Sequence, residues 1–276
     1  MRKALLYISI FIAICIIVGV AYSFYRNYTP PKLRQPYQTG ASPDDTLRIA
    51  FIGDSWAFMH KDHNCKIAQM LQDSIHRPVK VHSYGVCGLT SKEIYERFFD
   101  NRDFKQFLTR RRYEFCYVSA GINDTYKKMS TSYYQQSMDG IIQFLLSNQI
   151  HPIIQEIPDY DINISFERQK TSRKLLRRLS MMINDTPLDC KQLFREALDE
   201  LIREKNYTDK VSIIRYKTWN RNGDKDLKNL YRSDRLHLND NGYAVLDRAI
   251  TKEILNQITT DHNTESQMES DADHRK

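Results

Sequence analysis

Glycine is scarce in this sequence, with only 9 residues among 276. The turn that follows the first predicted strand, Gly53-Asp54-Ser55-Trp56, contains a single one. A flavodoxin-like cofactor binder needs a glycine-rich loop at this point, because backbone N–H groups must cradle a phosphate. The shortage of glycine therefore argues against a phosphate-bearing cofactor, and we expect no cofactor.

Cysteine is also sparse, and none of the five cysteines has the C-x-x-C spacing of a zinc site. A weaker metal candidate has a spacing that fits no common site type, and it comprises His60, Asp62, His63 and Cys65. Its simpler interpretation is a loop, so we predict no metal. Cys87 lacks an Asp-His pair of its own, which argues against a cysteine nucleophile. A Cys65–Cys87 disulfide is expected if the domain lies outside the cytoplasm.

No extreme of charge is present, since 41 basic and 34 acidic residues give a formal net charge of +7. This balance does not require a nucleic-acid partner, and we predict none, but it suits anionic lipid or acidic glycan. A predicted helix near residues 167–182 concentrates six cations: Arg168, Lys170, Arg173, Lys174, Arg177 and Arg178. Either a solvated face or contact with anionic lipid or acidic glycan explains such a helix.

Long apolar runs are absent except at the N-terminus, where basic Met1-Arg2-Lys3 precedes an uncharged run from Ala4 to about Tyr25. Such a run is long enough to cross a hydrocarbon core of about 30 Å. A cleaved signal peptide is the alternative, although its apolar region is usually only about 7–15 residues long. We predict a transmembrane signal anchor over residues 1–25 with the remaining chain outside the cytoplasm, in the periplasm or at the cell surface.

The remaining chain divides into a linker at 26–46 rich in Pro and polar residues, one domain at 47–258, and a polar tail at 259–276 predicted to be disordered. Within the domain, helical segments separate five apolar strands, predicted at 47–52, 79–83, 113–119, 151–157 and 211–216. This alternation predicts an α/β fold with a five-stranded parallel sheet that is covered by helices on both faces.

Residues suited to acyl chemistry follow three of these strands. Ser55, Gly88 and Asn123 come after the first, second and third strand, and the carboxyl ends of parallel strands form one binding edge. There a serine can attack a carbonyl, while a glycine N–H and an amide can stabilise an oxyanion. Taken singly, each is also ordinary turn or capping chemistry.

A late loop, Ser233-Asp234-Arg235-Leu236-His237, completes the set. Aspartate and histidine three residues apart can meet on one loop. The carboxylate would then fix the imidazole tautomer, and the other ring nitrogen would face Ser55.

Together these motifs resemble the SGNH hydrolases, also called GDSL esterases and lipases, over residues 47–258. The resemblance implies a three-layer α/β/α sandwich with a flavodoxin-like sheet and no metal. It implies Ser55, Asp234 and His237 as catalytic residues, and Ser55, Gly88 and Asn123 as the oxyanion hole. Trp56 stands where many members have a smaller aliphatic residue, and it could stack on a sugar ring or pack under the turn.

From these features we expect a serine ester hydrolase that removes short acyl groups, acetyl above all, from a cell-envelope carbohydrate. The loops after Ser55 and Gly88 are short and polar, and no long apolar insertion lies near a motif, whereas a lipase needs an extended apolar cleft. The alternatives are an O-acyltransferase with the same triad, a lysophospholipase or thioesterase, and a non-catalytic binding module.

Overall fold

Five parallel strands form the central sheet of this computed structural model, which describes residues 2–40 and 44–273. The strands are β1 (Leu47–Gly53), β2 (Val79–Gly85), β3 (Phe115–Ser119), β4 (His151–Gln155) and β5 (Ser212–Ile214). Their order is β2-β1-β3-β4-β5, and each neighbouring pair is parallel. The predicted α/β fold with a five-stranded parallel sheet is therefore confirmed.

Helices connect the strands. Those of the described residues are α1 (Arg2–Tyr28), α2 (Ser55–His60), α3 (Asn64–Ile75), α4 (Ser91–Asp100), α5 (Arg102–Thr109), α6 (Ile122–Lys127), α7 (Thr131–Ser147), α8 (Ile162–Glu167), α9 (Thr171–Asn184), α10 (Lys191–Glu204), α11 (Asp224–Asn229) and α12 (Asp240–Asp273). The short helices α2 and α6 begin shortly after β1 and β3 end.

The alternation of side chains along β1 separates the interior into two apolar layers. Ala50 and Ile52 belong to one buried cluster, which includes residues of α4, α5, α7 and α10. Ile49 and Phe51 belong to the other, which includes residues of α3 and α12. Because successive side chains of a strand point to opposite faces, the sheet lies between two helical layers, as a three-layer sandwich requires.

The segment from residue 29 to 40, within the predicted linker at 26–46, lies against the domain. The backbone N–H of Arg34 donates to Tyr95 Oη at 2.7 Å, and the ring of Tyr37 packs 4.8 Å from that of Phe144. Residues 41–43 of this linker lie outside the described residues. Helix α12 extends through 259–273, where the sequence predicted disorder, and residues 274–276 are also outside the described part.

The N-terminal segment forms helix α1, but the prediction of a transmembrane helix over residues 1–25 needs correction. Among the helices of the described residues, none combines the length and the apolar character needed to cross a membrane.

Candidate active site

A tight turn between β1 and α2 presents Ser55 at the carboxyl edge of the sheet. Gly53 has a φ of +149°, and a Cβ atom there would lie 2.1 Å from the carbonyl oxygen of Ser119, so only glycine fits. Asp54 caps α2 by accepting a hydrogen bond from the Trp56 N–H at 2.9 Å. Ser55 is thus the first residue of the helix, with its side chain beside the edge of the sheet and 8% of the residue exposed.

Ser55, His237 and Asp234 form a continuous chain of contacts. The Ser55 Oγ lies 3.0 Å from His237 Nε2, and His237 Nδ1 lies 2.7 Å from Asp234 Oδ2. Ser55 and His237 are 182 residues apart in sequence, so the fold rather than local structure brings them together. A serine, an imidazole and a carboxylate in this order can pass a proton from a hydroxyl to a ring nitrogen while the ring stays oriented.

The loop that carries Asp234 and His237 is held by its own backbone. Asp234 Oδ1 accepts hydrogen bonds from the N–H groups of Leu236 and His237, at 2.9 and 3.0 Å. Partial burial raises the pKa of Asp234, but the hydrogen bonds from His237 and Leu236 outweigh it and hold that pKa below its usual value. The carboxylate is therefore ionised at neutral pH, as a group that orients and stabilises an imidazolium must be.

Asn123 is the second residue of α6, and its amide points to the nucleophile turn. The Asn123 Nδ2 donates to Asp54 Oδ2 at 3.1 Å, and Asp54 Oδ1 accepts from Ser119 Oγ at 3.2 Å. An amide group has two N–H donors, so one remains to face a substrate oxygen while the other is held by Asp54. The third strand end is in this way tied to the first.

Gly88 lies in the turn between β2 and α4. Its φ of +80° is a conformation that favours glycine, and there is open space where a side chain would be. Strands β1 and β2 end in register at Gly53 and Gly85, and the Val86 N–H donates to the Gly53 carbonyl at 3.1 Å. Gly88 therefore belongs to the same edge of the sheet as Ser55.

Two buried carboxylates that were not predicted as part of the site hold these loops together. Asp54 is fully buried and joins the turn after β1 to Asn123. Asp124, also fully buried, accepts from the Ser91 N–H at 2.8 Å and so ties α6 to the start of α4. In the sequence these residues are marked only by their position directly beside Ser55 and Asn123, which does not distinguish a buried carboxylate from a solvated turn residue.

Asp54 is expected to make stability depend on pH. Burial raises its pKa to about 7, against an ordinary value of 3.8. The folded state then binds the proton more tightly than the unfolded chain, so this contribution is full below about pH 4 and is lost as pH rises towards about 7, by roughly 4 kcal/mol at most. Thermal unfolding of wild type and Asp54→Asn between about pH 5 and 8 should show a declining Tm that the variant lacks. Equal slopes for both proteins would remove Asp54 as the cause.

The His60 and His63 side chains are inside the domain. His60 Nε2 lies 2.8 Å from Asp247 Oδ1, and His63 Nδ1 lies 3.6 Å from Asp247 Oδ2, with all three residues buried. Among the residues the structure describes, no three His, Cys, Asp or Glu side chains are grouped to hold a metal. The weak metal candidate is thus not confirmed.

Trp56 is buried under the turn that carries Ser55. It is 1% exposed and packs near Trp219 and Tyr231, at ring distances of 6.1 and 6.2 Å, so it supports the turn and is not available to a sugar ring.

Cys65 and Cys87 are exposed free thiols, so the predicted disulfide is not confirmed.

Sequence comparison identifies the family of this chain. The GDSL-like Lipase/Acylhydrolase family profile matches residues 51–245, well over half of the sequence, and the chain belongs to this family. It is accordingly a carboxylic ester hydrolase of the GDSL, or SGNH, type. A search of curated proteins gives no match.

Solved structures share the fold at low sequence identity. A lipase/acylhydrolase from Enterococcus faecalis superimposes with a TM-score of 0.51 and 18% identity, covering 76% of this chain and 96% of the other. An acetylxylan esterase from Geobacillus stearothermophilus gives a TM-score of 0.50 and 16% identity, covering 79% of this chain and 96% of the other.

Proposed function

We propose that Ser55 is the nucleophile of a two-step ester hydrolysis, with His237 as general base and Asp234 as the group that orients it. The observation that carries this proposal is the contact chain from Ser55 Oγ to His237 and Asp234, at 3.0 and 2.7 Å. His237 takes the Ser55 proton as Oγ attacks the carbonyl carbon, and then gives it to the departing alcohol. Water activated by His237 next attacks the acyl-Ser55 ester and releases the acid.

The negative charge of each tetrahedral intermediate needs donors at the same edge of the sheet. We assign this role to the backbone N–H groups of Ser55 and Gly88 and to the second amide hydrogen of Asn123. The support is their common position: Ser55 begins α2, Gly88 follows β2, and Asn123 is held against Asp54. Three donors fixed by the fold need no reorganisation when the charge forms.

For the substrate, we propose a short acyl group, above all acetyl, on a carbohydrate of the cell envelope. The short segment between α2 and α3 includes polar Lys61 and Asp62, and the sequence has no long apolar insertion after Ser55 or Gly88, such as would line the extended cleft of a lipase. An acetylxylan esterase has the same fold, so carbohydrate deacetylation is compatible with it.

A lipolytic esterase is the second candidate, and one observation favours it. Helix α9 leaves Leu175, Leu179 and Met182 exposed and packs on α6, the helix that carries Asn123. Apolar surface on a helix that packs against α6 is what a lysophospholipid or long-chain ester could contact.

The substrate proposal is tested by a series of p-nitrophenyl esters from acetyl to palmitoyl, followed by acetylated oligosaccharides and lysophospholipid. We expect kcat/KM to be highest for acetyl and to fall with each added pair of methylenes, because a site without an extended apolar cleft cannot bury them. A steady rise with acyl length, with lysophospholipid as the best substrate, would reject the carbohydrate proposal in favour of the lipolytic one.

Acyl transfer through the same acyl-Ser55 differs only in the acceptor, a sugar hydroxyl in place of water. Product analysis with and without a sugar acceptor separates the two reactions. We expect free acid in both cases. Acylated sugar as the main product would identify a transferase.

For location, we propose that the catalytic domain lies outside the cytoplasm and is associated with a membrane. The support is the basic N-terminus followed by α1, whose apolar side chains from Leu6 to Tyr22 are largely exposed. The exposed thiols of Cys65 and Cys87 provide the test. A membrane-impermeant thiol reagent should label them in intact cells with a permeable outer envelope, whereas labelling only after lysis would contradict this location.

A further inference from the structure

Helix α9 turns its apolar side to solvent. Its exposed apolar face consists of Leu175, Leu176, Leu179, Met182 and Ile183, which are between 44% and 81% exposed. At 3.6 residues per turn these five side chains share one continuous face, about 120° wide. A surface helix normally buries such a face in the core, and a contiguous exposed apolar patch marks a binding surface.

The polar side of α9 faces the domain, and its contacts fix this orientation. Arg177 is 5% exposed, with its guanidinium 4.3 Å from the ring centre of Tyr126 and 5.0 Å from that of Phe166. The Asn184 Nδ2 donates to the carbonyl of Lys128 at 2.6 Å. The helix is thus attached through polar and cationic groups, and its apolar face remains outside.

The charged residues around this face favour an anionic partner. Arg168, Lys170, Arg173 and Arg178 are exposed, and residues 170–184 contain no acidic side chain. On the helical wheel, Arg173 and Arg178 lie at the two borders of the exposed apolar face. An apolar face bordered by cations is the pattern of a helix that lies in the interface of an anionic membrane. A two-fold contact with a second copy would instead bring these like charges towards one another.

The position of α9 agrees with a lipid partner. Ser180 Oγ lies 2.7 Å from the hydroxyl of Tyr28, the last residue of α1, so α9 adjoins a helix that also exposes apolar side chains. On its other side α9 packs on α6 through Arg177 and Tyr126. We propose that the exposed apolar face of α9 docks on an anionic lipid surface, which places the Asn123 edge of the domain beside that surface.

Tryptophan fluorescence tests this docking in the full chain. The native Trp56 and Trp219 are 1% and 4% exposed and therefore shielded from lipid. Quenching of fluorescence by lipid then reports mainly on an introduced tryptophan. Met182→Trp reports on the exposed apolar face, and Leu193→Trp on α10 is the matched control, since Leu193 is also an exposed apolar residue. Each variant is mixed with vesicles of brominated lipid, either zwitterionic or containing an anionic lipid.

We expect anionic vesicles to quench the Met182→Trp variant strongly and zwitterionic vesicles to quench it much less. The Leu193→Trp variant should show little quenching by either. Adding Arg173→Gln and Arg178→Gln to Met182→Trp should weaken the docking of α9 by about fivefold per cation. Leu176→Trp serves as a second reporter should Met182→Trp not fold, as judged by circular dichroism.

Equal quenching of the Met182→Trp and Leu193→Trp variants, or quenching of the first that ignores anionic lipid, would overturn the proposal. A blue shift of the Met182→Trp emission that grows with protein concentration without vesicles would assign the face to a second copy instead. The measurement is independent of turnover, so adding Ser55→Ala should give the same quenching, and failure of the proposed hydrolysis would leave this result unchanged.

Discussion

Replacing Ser55 or His237 by alanine is expected to lower kcat/KM for an ester substrate by about 10⁴–10⁶-fold. Ser55 supplies the atom that forms the acyl bond, and His237 Nε2, 3.0 Å from its hydroxyl, is placed to take the proton. If either Ser55 or His237 is removed, the residue that is left no longer contributes to the reaction. The double variant should therefore be little worse than each single variant.

The rates are measured on the full chain with p-nitrophenyl acetate, and circular dichroism confirms that each variant is folded. Ser74→Ala is a suitable control, because Ser74 is an exposed serine on α3 whose hydroxyl donates to the Met70 carbonyl. It should leave kcat/KM unchanged. If the double variant instead lost the product of the two single effects, Ser55 and His237 would not act as a unit, and the proposed triad would fail.

Asn123→Ala should lower kcat by about 10²–10³-fold with little change in KM, as the loss of one oxyanion donor does elsewhere. The second amide hydrogen acts on the charge of the transition state and hardly on the neutral ester. The remaining hydrogen bond, to Asp54, aims the amide and is lost as well in this variant.

Asn148→Ala separates catalysis from structure in this experiment. The Asn148 side-chain amide also donates hydrogen bonds, to the carbonyls of Tyr37 and Phe144. None of these three residues belongs to the proposed site. Its replacement should lower the free energy of unfolding by about 1–2 kcal/mol and leave kcat unchanged. A change confined to KM in Asn123→Ala would assign this residue to substrate positioning rather than to the oxyanion.

Much of the fold was predictable because the sheet is buried on both faces. The run Leu47–Ile52 is largely apolar, so it could be assigned to a strand, and β1 occupies Leu47–Gly53. The short helices α2 and α5 were not predicted. The first begins inside a Gly-Asp-Ser turn, and the second, Arg102–Thr109, has only a few apolar residues to define a period.

The candidate site was predictable where chemistry and spacing coincide. Asp234 and His237 are three residues apart, and the loop between them needs little else to bring their side chains together. The importance of Asp54 could not be recognised in the same way, because its burial depends on Ser119 and Asn123, residues brought near by the sheet. A carboxylate in a turn is usually solvated, and only the fold makes this one buried.

Helix α9 was predictable as a helix, but its orientation on the domain was not. The spacing of Leu175, Leu179 and Met182 predicts a helix, and α9 does form over Thr171–Asn184. Periodicity specifies that one face is apolar, but not which surroundings that face contacts. The usual assumption directs it to the core, whereas Arg177 lies on the inner side and the leucines lie outside.

The proposal that Ser55 is the nucleophile is tested most directly by identifying the residue that a fluorophosphonate modifies. Such a reagent forms a stable adduct with an activated serine, and peptide mapping by mass spectrometry locates it. We expect one adduct per chain, on the peptide that contains Ser55, with loss of ester hydrolysis in proportion to labelling and no adduct in Ser55→Ala. An adduct on another residue such as Cys87, or full activity in a chain labelled at Ser55, would contradict the claim.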